Sequence, residues 1–153
     1  MCGIAGAYQQ VDGESMARVM GNRLVHRGPD DAGFYSYTDG RVSVHLAHRR
    51  LSIIDLALGH QPFVKRGLAL CYNGELYNYR ELRSELTARG VSFQTSSDTE
   101  VVLEAWRQWG PGCLRKFRGM FAFGLFDDGF QRSRNSRSRS ASGFNAASSL
   151  APC

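Results

Sequence analysis

The run MFAFGLF, Met120 to Phe126, constrains this chain more than any other stretch. It is apolar throughout and bounded by Arg118-Gly119 and Asp127-Asp128. It is far shorter than the ~20 residues needed to span a bilayer. A short apolar run with charged flanks suits a strand at the centre of a sheet. A central strand needs neighbours, and the remaining sequence must provide them. At 153 residues the chain can form one domain with a substantial core but not two large ones.

Other segments supply the partners. CGIAGAY predicts a short buried strand. ESMARVMGNRLVHRG places Met16, Val19, Met20 and Leu24 near helical spacing, and Gly28-Pro29 ends that helix. AGFYSYTDGRVSVHLAHRRLSIIDL predicts two or three strands, with a hairpin turn at Asp39-Gly40. GLALCYNGELYN predicts a strand that runs into a turn at Asn73-Gly74. YRELRSELTARG is an amphipathic helix with Leu82 and Leu86 on one face and Gly90 as its stop. SDTEVVLEAWRQWG predicts a second helix, with a Ser97/Glu100 capping box and a stripe of Val102, Ala105, Trp106 and Trp109. The pattern is that of a mixed α/β or α+β domain over residues 1–128.

The character changes after Asp128. Residues 129–153 contain seven serines, four arginines and no acidic residue, a composition that predicts disorder. The net charge of +5 is therefore concentrated in the tail, because residues 1–128 carry 15 basic and 14 acidic residues. The basic balance is poor grounds for nucleic-acid binding by the folded part. With no signal peptide and no apolar span, a cytoplasmic address and no membrane association are expected. Cysteines stand at 2, 71, 113 and 153 without metal-like spacing. Cys71 and Cys113 sit in apolar surroundings and read as small core residues.

Cys2 differs from these. If Met1 is removed, it carries a thiol and an α-amine on one skeleton. Reference pKa values near 8.5 and 8 let the amine act as general base for its own thiol. By itself, Cys2 reads rather as a buried cysteine near the start of the chain.

Five stretches occur in order: MCGIAG, HRGPDDAGFY, AHRRLSIIDL, YNGELYNYRELR and SDTEVVLEAW. Together they strongly resemble the class II glutamine amidotransferase domain, the N-terminal glutaminase of glutamine-hydrolysing asparagine synthetases. The likeness runs from Met1 to about Asp127. It implies an α+β fold, the four-layer αββα sandwich of N-terminal-nucleophile hydrolases, incomplete at its C-terminal side. It implies Cys2 as nucleophile, with Asn73 and Gly74 forming the oxyanion hole. Arg50 would clamp the glutamine α-carboxylate, a task suited to a guanidinium fork. Leu51, Ser52, Ile53 and Ile54 would line the pocket, and Asp98, with Glu75 beside it, would meet the α-ammonium. Each role has a plain competitor: an exposed strand arginine for Arg50, an ordinary turn for Asn73-Gly74, and a helix-dipole acid for Asp98. HRGPDD is read as a structural loop, and no metal is expected.

The resemblance also breaks. The family's late-strand segment and its glycine-rich ATP loop are absent from this sequence. No cofactor is expected for the glutaminase step, and ATP and Mg²⁺ would belong to an absent synthetase domain. Codons for residues 140–145, read in a shifted frame, can spell Arg-Leu-Gly-Ile-Gln, so the tail is expected to be a frameshift product. Without late strands, the sheet carrying MFAFGLF would expose apolar edges. Expected partners are L-glutamine, a second copy as a homodimer or a synthetase partner, and no nucleic acid. The alternatives are the glutaminase domain of an amidotransferase making an amino sugar or a purine precursor, or an inert fragment or binding module.

Overall fold

The computed structural model of the chain describes residues 2–40, 42–51, 59–129 and 143–149. Its elements run β1 (Gly3–Tyr8), α1 (Gly13–Arg23), β2 (Asp31–Thr38), β3 (Ser43–Arg50), β4 (Phe63–Lys65), β5 (Leu68–Leu76), α2 (Tyr79–Ala88), α3 (Asp98–Trp109), β6 (Gly119–Asp127) and β7 (Gly143–Ser149). The strands form two antiparallel sheets, ordered β1-β3-β2 and β4-β5-β6-β7.

Strand alternation builds the layers. On β3, Val44 and Leu46 pack against Ala69 and Cys71 of β5 and Phe126 of β6, which joins the two sheets face to face. The alternate residues His45 and Ala47 face α1. On the outer face of the four-stranded sheet, Leu70, Tyr72, Phe121 and Phe123 pack with Leu82 and Leu86 of α2 and Val102 and Trp106 of α3. Fully burying each such side chain is worth about 1.5–3 kcal/mol. The resulting order is helix, sheet, sheet, helix: the expected four-layer αββα sandwich.

Helix α1 packs through only part of its expected stripe. Met16 is 46% and Val19 52% exposed, whereas Gly13, Ala17 and Gly21 are buried. The helix lies so close to the sheet that a Cβ on Gly21 would stand 2.8 Å from Ala47, and one on Gly13 would stand 2.9 Å from His45. Only small residues fit this contact, so Met16 and Val19 turn outward, while Met20 and Leu24 are half-buried.

Asp39-Gly40 forms the expected hairpin turn. Gly40 has φ +81°, and the Val42 N–H donates to Asp39 Oδ1 at 2.8 Å. Asn73-Gly74, in contrast, is not a turn. Both residues lie within β5, opposite Ala122 and Phe121 of β6. Gly74 is needed for cross-strand approach, because a Cβ there would collide with the Met120 carbonyl and Phe121.

MFAFGLF forms β6 inside its sheet, between β5 and β7. Strand β7 lies in the segment whose composition predicts disorder, and for residues 143–149 that expectation is corrected. They pair along β6 from Asp127 to Phe121. An apolar edge strand presents a row of backbone donors and acceptors, and small residues such as Gly143, Ala146 and Ala147 can satisfy it despite weak strand propensity. Residues 130–142 and 150–153 lie outside the described residues.

Candidate active site

The inner face of the three-stranded sheet leads to the site. Ile4 and Tyr8 of β1 pack between the sheets, and the same alternation carries Cys2 to that side. Gly3 pairs with Arg49, so Cys2 stands beside Arg50 at the end of the sheet. The Cys2 nitrogen donates to Asn73 Oδ1 at 3.0 Å. With Met1 attached, this nitrogen is a peptide N–H; removal of Met1 would make it the α-amine. The bond engages the acceptor end of the Asn73 amide, leaving its Nδ2 group as the donor end.

The three described cysteines differ in setting. Cys2 is half-buried, while Cys71 and Cys113 are buried. Burial pushes the thiols of Cys71 and Cys113 up to about 12, which keeps both protonated and unreactive. Cys71 also lines a cavity of about 150 Å³ between the sheets, with Ile4, Gly6, Leu46 and Gly124.

The two adjacent arginines point to opposite layers. Arg49 bonds to the Gly21 carbonyl at 3.1 Å and to Asn22 Oδ1 at 2.6 Å, holding the end of α1. Arg50 is buried at 7% exposure. Its guanidinium lies against Gly59, where any Cβ would collide with it. The HRGPDD loop closes over this corner. The Asp30 N–H donates to the Arg50 carbonyl at 3.1 Å, and Gly28 packs on the Arg49-Arg50 backbone. His60 lies 3.0 Å from Asp31. Burial would raise the Asp31 pKa, but His60, the Ala32 N–H and the Arg50 charge outweigh it and hold the carboxyl below its usual value. Leu51 is half-buried at the end of β3, and Ser52, Ile53 and Ile54 lie outside the described residues.

Strand β5 is the spine of the site. The Tyr72 N–H donates to buried Gln61 Oε1 at 2.6 Å, and the Tyr72 carbonyl accepts from His48 Nε2 at 3.3 Å. Asp98 Oδ2 accepts from the Tyr72 hydroxyl and the Leu76 N–H, both at 3.0 Å. Burial, with Asp98 and Glu75 adding negative charge, raises the Tyr72 pKa far above the usual phenol value, so it remains a donor. Asp98 is thus bound to β5 and is more than a helix-dipole acid. Glu75 is exposed on the same strand, opposite Met120. Sequence reasoning missed Gln61, Tyr72 and Gly59. Neither the pattern of apolar residues nor a motif singles them out, because their partners come from distant strands.

A family model described as "Glutamine amidotransferase domain" matches residues 1–141, beyond the boundary expected at 128. The chain is 43% identical over 131 residues to asparagine synthetase [glutamine-hydrolyzing] 1 of Bacillus subtilis strain 168, covering 80% of this chain and 20% of that protein. It is 40% identical over 133 residues to asparagine synthetase B [glutamine-hydrolyzing] of Escherichia coli K12, covering 83% of this chain and 23% of that one. The chain therefore spans about a fifth of the length of these curated relatives. A solved glutamine phosphoribosylpyrophosphate amidotransferase from B. subtilis superposes with a TM-score of 0.58 at 23% identity, covering 81% of this chain and 35% of that one. This last likeness supports the fold alone. Among the described residues, no helix is long and apolar enough to cross a membrane.

Proposed function

Because the chain belongs to the glutamine amidotransferase domain family, we propose that it hydrolyses L-glutamine to glutamate and ammonia through a thioester on Cys2. The observation that carries this proposal is the 3.0 Å bond between the Cys2 nitrogen and Asn73 Oδ1, which pairs the nucleophile with an oxyanion donor. After loss of Met1, the α-amine takes the Sγ proton and the thiolate attacks the side-chain carbonyl of glutamine. Asn73 Nδ2 and the Gly74 N–H stabilise the oxyanion. Collapse breaks the C–N bond, and the α-ammonium returns its proton to the departing ammonia. Water, with the amine again as base, cleaves the γ-glutamyl thioester to glutamate and free thiol. Arg50 holds the α-carboxylate, Asp98 and Glu75 meet the α-ammonium, and residues 51–54 line the pocket.

The ammonia is destined for asparagine synthesis, a role supported by the two curated relatives. The acceptor chemistry, with its ATP and Mg²⁺, falls to a synthetase partner or domain outside this sequence. Cytoplasmic residence belongs to the same proposal, and cell fractionation tests it. The main experiment measures glutamate release from glutamine by the purified chain and by Cys2→Ala, with the intact mass of each. A parent that lacks Met1 and turns over, beside an inactive variant, supports the proposal. A folded parent without turnover overturns it in favour of an inert or partner-dependent module.

A further inference from the structure

A heavily bonded carboxylate among the described residues is not one of the site residues. Glu100, in the first turn of α3, is fully buried. Its Oε1 accepts from Lys65 Nζ at 2.7 Å and from the Gln94 N–H at 2.9 Å. Its Oε2 accepts from the Thr95 N–H at 2.6 Å and the Thr95 hydroxyl at 2.8 Å, with the Gln94 N–H shared at 3.0 Å. The expected capping box is therefore only half formed. Ser97 Oγ accepts from the Glu100 N–H at 3.4 Å, but the Glu100 carboxylate passes Ser97 and binds residues 94 and 95.

That choice determines what Glu100 can do. Residues 94–97 have no helix or strand of their own, so their backbone donors need partners from elsewhere. Glu100 supplies two of them. The Thr95 hydroxyl, held by Glu100, stands 2.9 Å from Ser97 Oγ and accepts from the Ser97 N–H at 3.3 Å. The chain entering Asp98 is thus folded around a side chain two residues beyond it. From the other side, Asp98 is tied to β5 through Tyr72 and Leu76. Lys65, 5% exposed at its side chain, pairs with Glu100 and also meets Glu104 at 2.7 Å, and Arg107 Nε lies 3.8 Å from Glu104. A buried ion cluster of this kind adds little net stability compared with apolar replacements. Its geometry is better accounted for by what it positions.

We propose that Glu100, through its bonds to Gln94 and Thr95, is a positioning residue that sets Asp98 for the α-ammonium of glutamine. The inference rests on the role proposed above for Asp98. It predicts a loss confined to ligands that carry the α-amine.

The test is calorimetric binding to the full chain in a Cys2→Ala background, so that bound glutamine is not consumed. The ligands are L-glutamine and 5-amino-5-oxopentanoate, which lacks only the α-amino group. The variants are Asp98→Asn, Glu100→Gln and Thr95→Val, each checked for folding by circular dichroism. Glu100→Gln keeps the side-chain shape but sets an amide donor among N–H donors. It is expected to weaken L-glutamine about tenfold and leave the amine-free analogue unchanged, the pattern also expected of Asp98→Asn. Thr95→Val should act in the same direction and decides the question if Glu100→Gln does not fold. Equal weakening of both ligands would make Glu100 merely structural and overturn the inference, as would unchanged discrimination while Asp98→Asn loses it. If Asp98→Asn keeps the discrimination, or the background protein binds no glutamine, the role of Asp98 itself falls and this inference falls with it.

Discussion

His48 gives the sharpest pH prediction. It is 2% exposed, and Nε2 donates to the Tyr72 carbonyl at 3.3 Å, bridging β3 and β5. Burial is the main cause that lowers its pKa from 6.5 to about 4, with Arg50 and His60 adding to the effect; Asp31 and the Tyr72 carbonyl oppose it. A depressed pKa means the unfolded chain binds the proton first. The neutral-histidine contribution is therefore fully present above about pH 6.5 and is lost as pH falls toward 4. At about 1.4 kcal/mol per pH unit, the whole window is worth about 3 kcal/mol. About 2 kcal/mol of that falls between pH 7 and pH 5. Urea unfolding of the parent and of His48→Gln at both pH values isolates this quantity. Glutamine keeps a donor for the Tyr72 carbonyl and does not titrate, and contributions from the other histidines cancel in the difference. The parent should lose about 2 kcal/mol more than the variant on acidification. Equal losses would refute the assignment of His48 as a buried neutral histidine.

Asn73→Asp keeps an acceptor for the Cys2 nitrogen but removes the Nδ2 donor, so glutamate release should fall about 10²–10³-fold with the fold intact by circular dichroism. Gly74→Ala should destabilise the chain by about 1–3 kcal/mol in urea unfolding, since the added methyl meets the Met120 carbonyl and Phe121. Gly21→Val should cost a similar amount by crowding Ala47, whereas Met16→Lys on the exposed side of α1 should change stability by less than about 0.5 kcal/mol. Alkylation of the native chain near pH 7.5, followed by peptide mapping, should label Cys2 well before Cys71 and Cys113, whose thiols are pushed up to about 12.

Several elements of the fold were legible because their signals are local. MFAFGLF, the α2 stripe of Leu82 and Leu86, and the Asp39-Gly40 turn carry their own periodicity or turn chemistry. The packed face of α1 was not legible, because Gly13, Ala17 and Gly21 matter through closeness rather than hydrophobicity. Asn73-Gly74 has the composition of a turn, and only the neighbouring β6 makes it a strand. Strand β7 was hidden by a Ser-rich composition that says nothing of the apolar edge beside it. At the site, the motifs gave Cys2, Asn73, Gly74, Arg50 and Asp98 through family likeness, and the structure joins Cys2 to Asn73 and Asp98 to β5. The supports of that arrangement, Gln61, Tyr72 and Glu100, act through contacts that local sequence does not encode.

The most direct test of the N-terminal-cysteine chemistry is acid-quenched intact mass of the chain during incubation with glutamine, followed by fragmentation to locate any adduct. The proposed mechanism predicts a protein lacking Met1 that gains the mass of one γ-glutamyl group on Cys2, absent from Cys2→Ala. A chain that turns over glutamine while its adduct sits on another residue, or that does so with Met1 still attached, would contradict it.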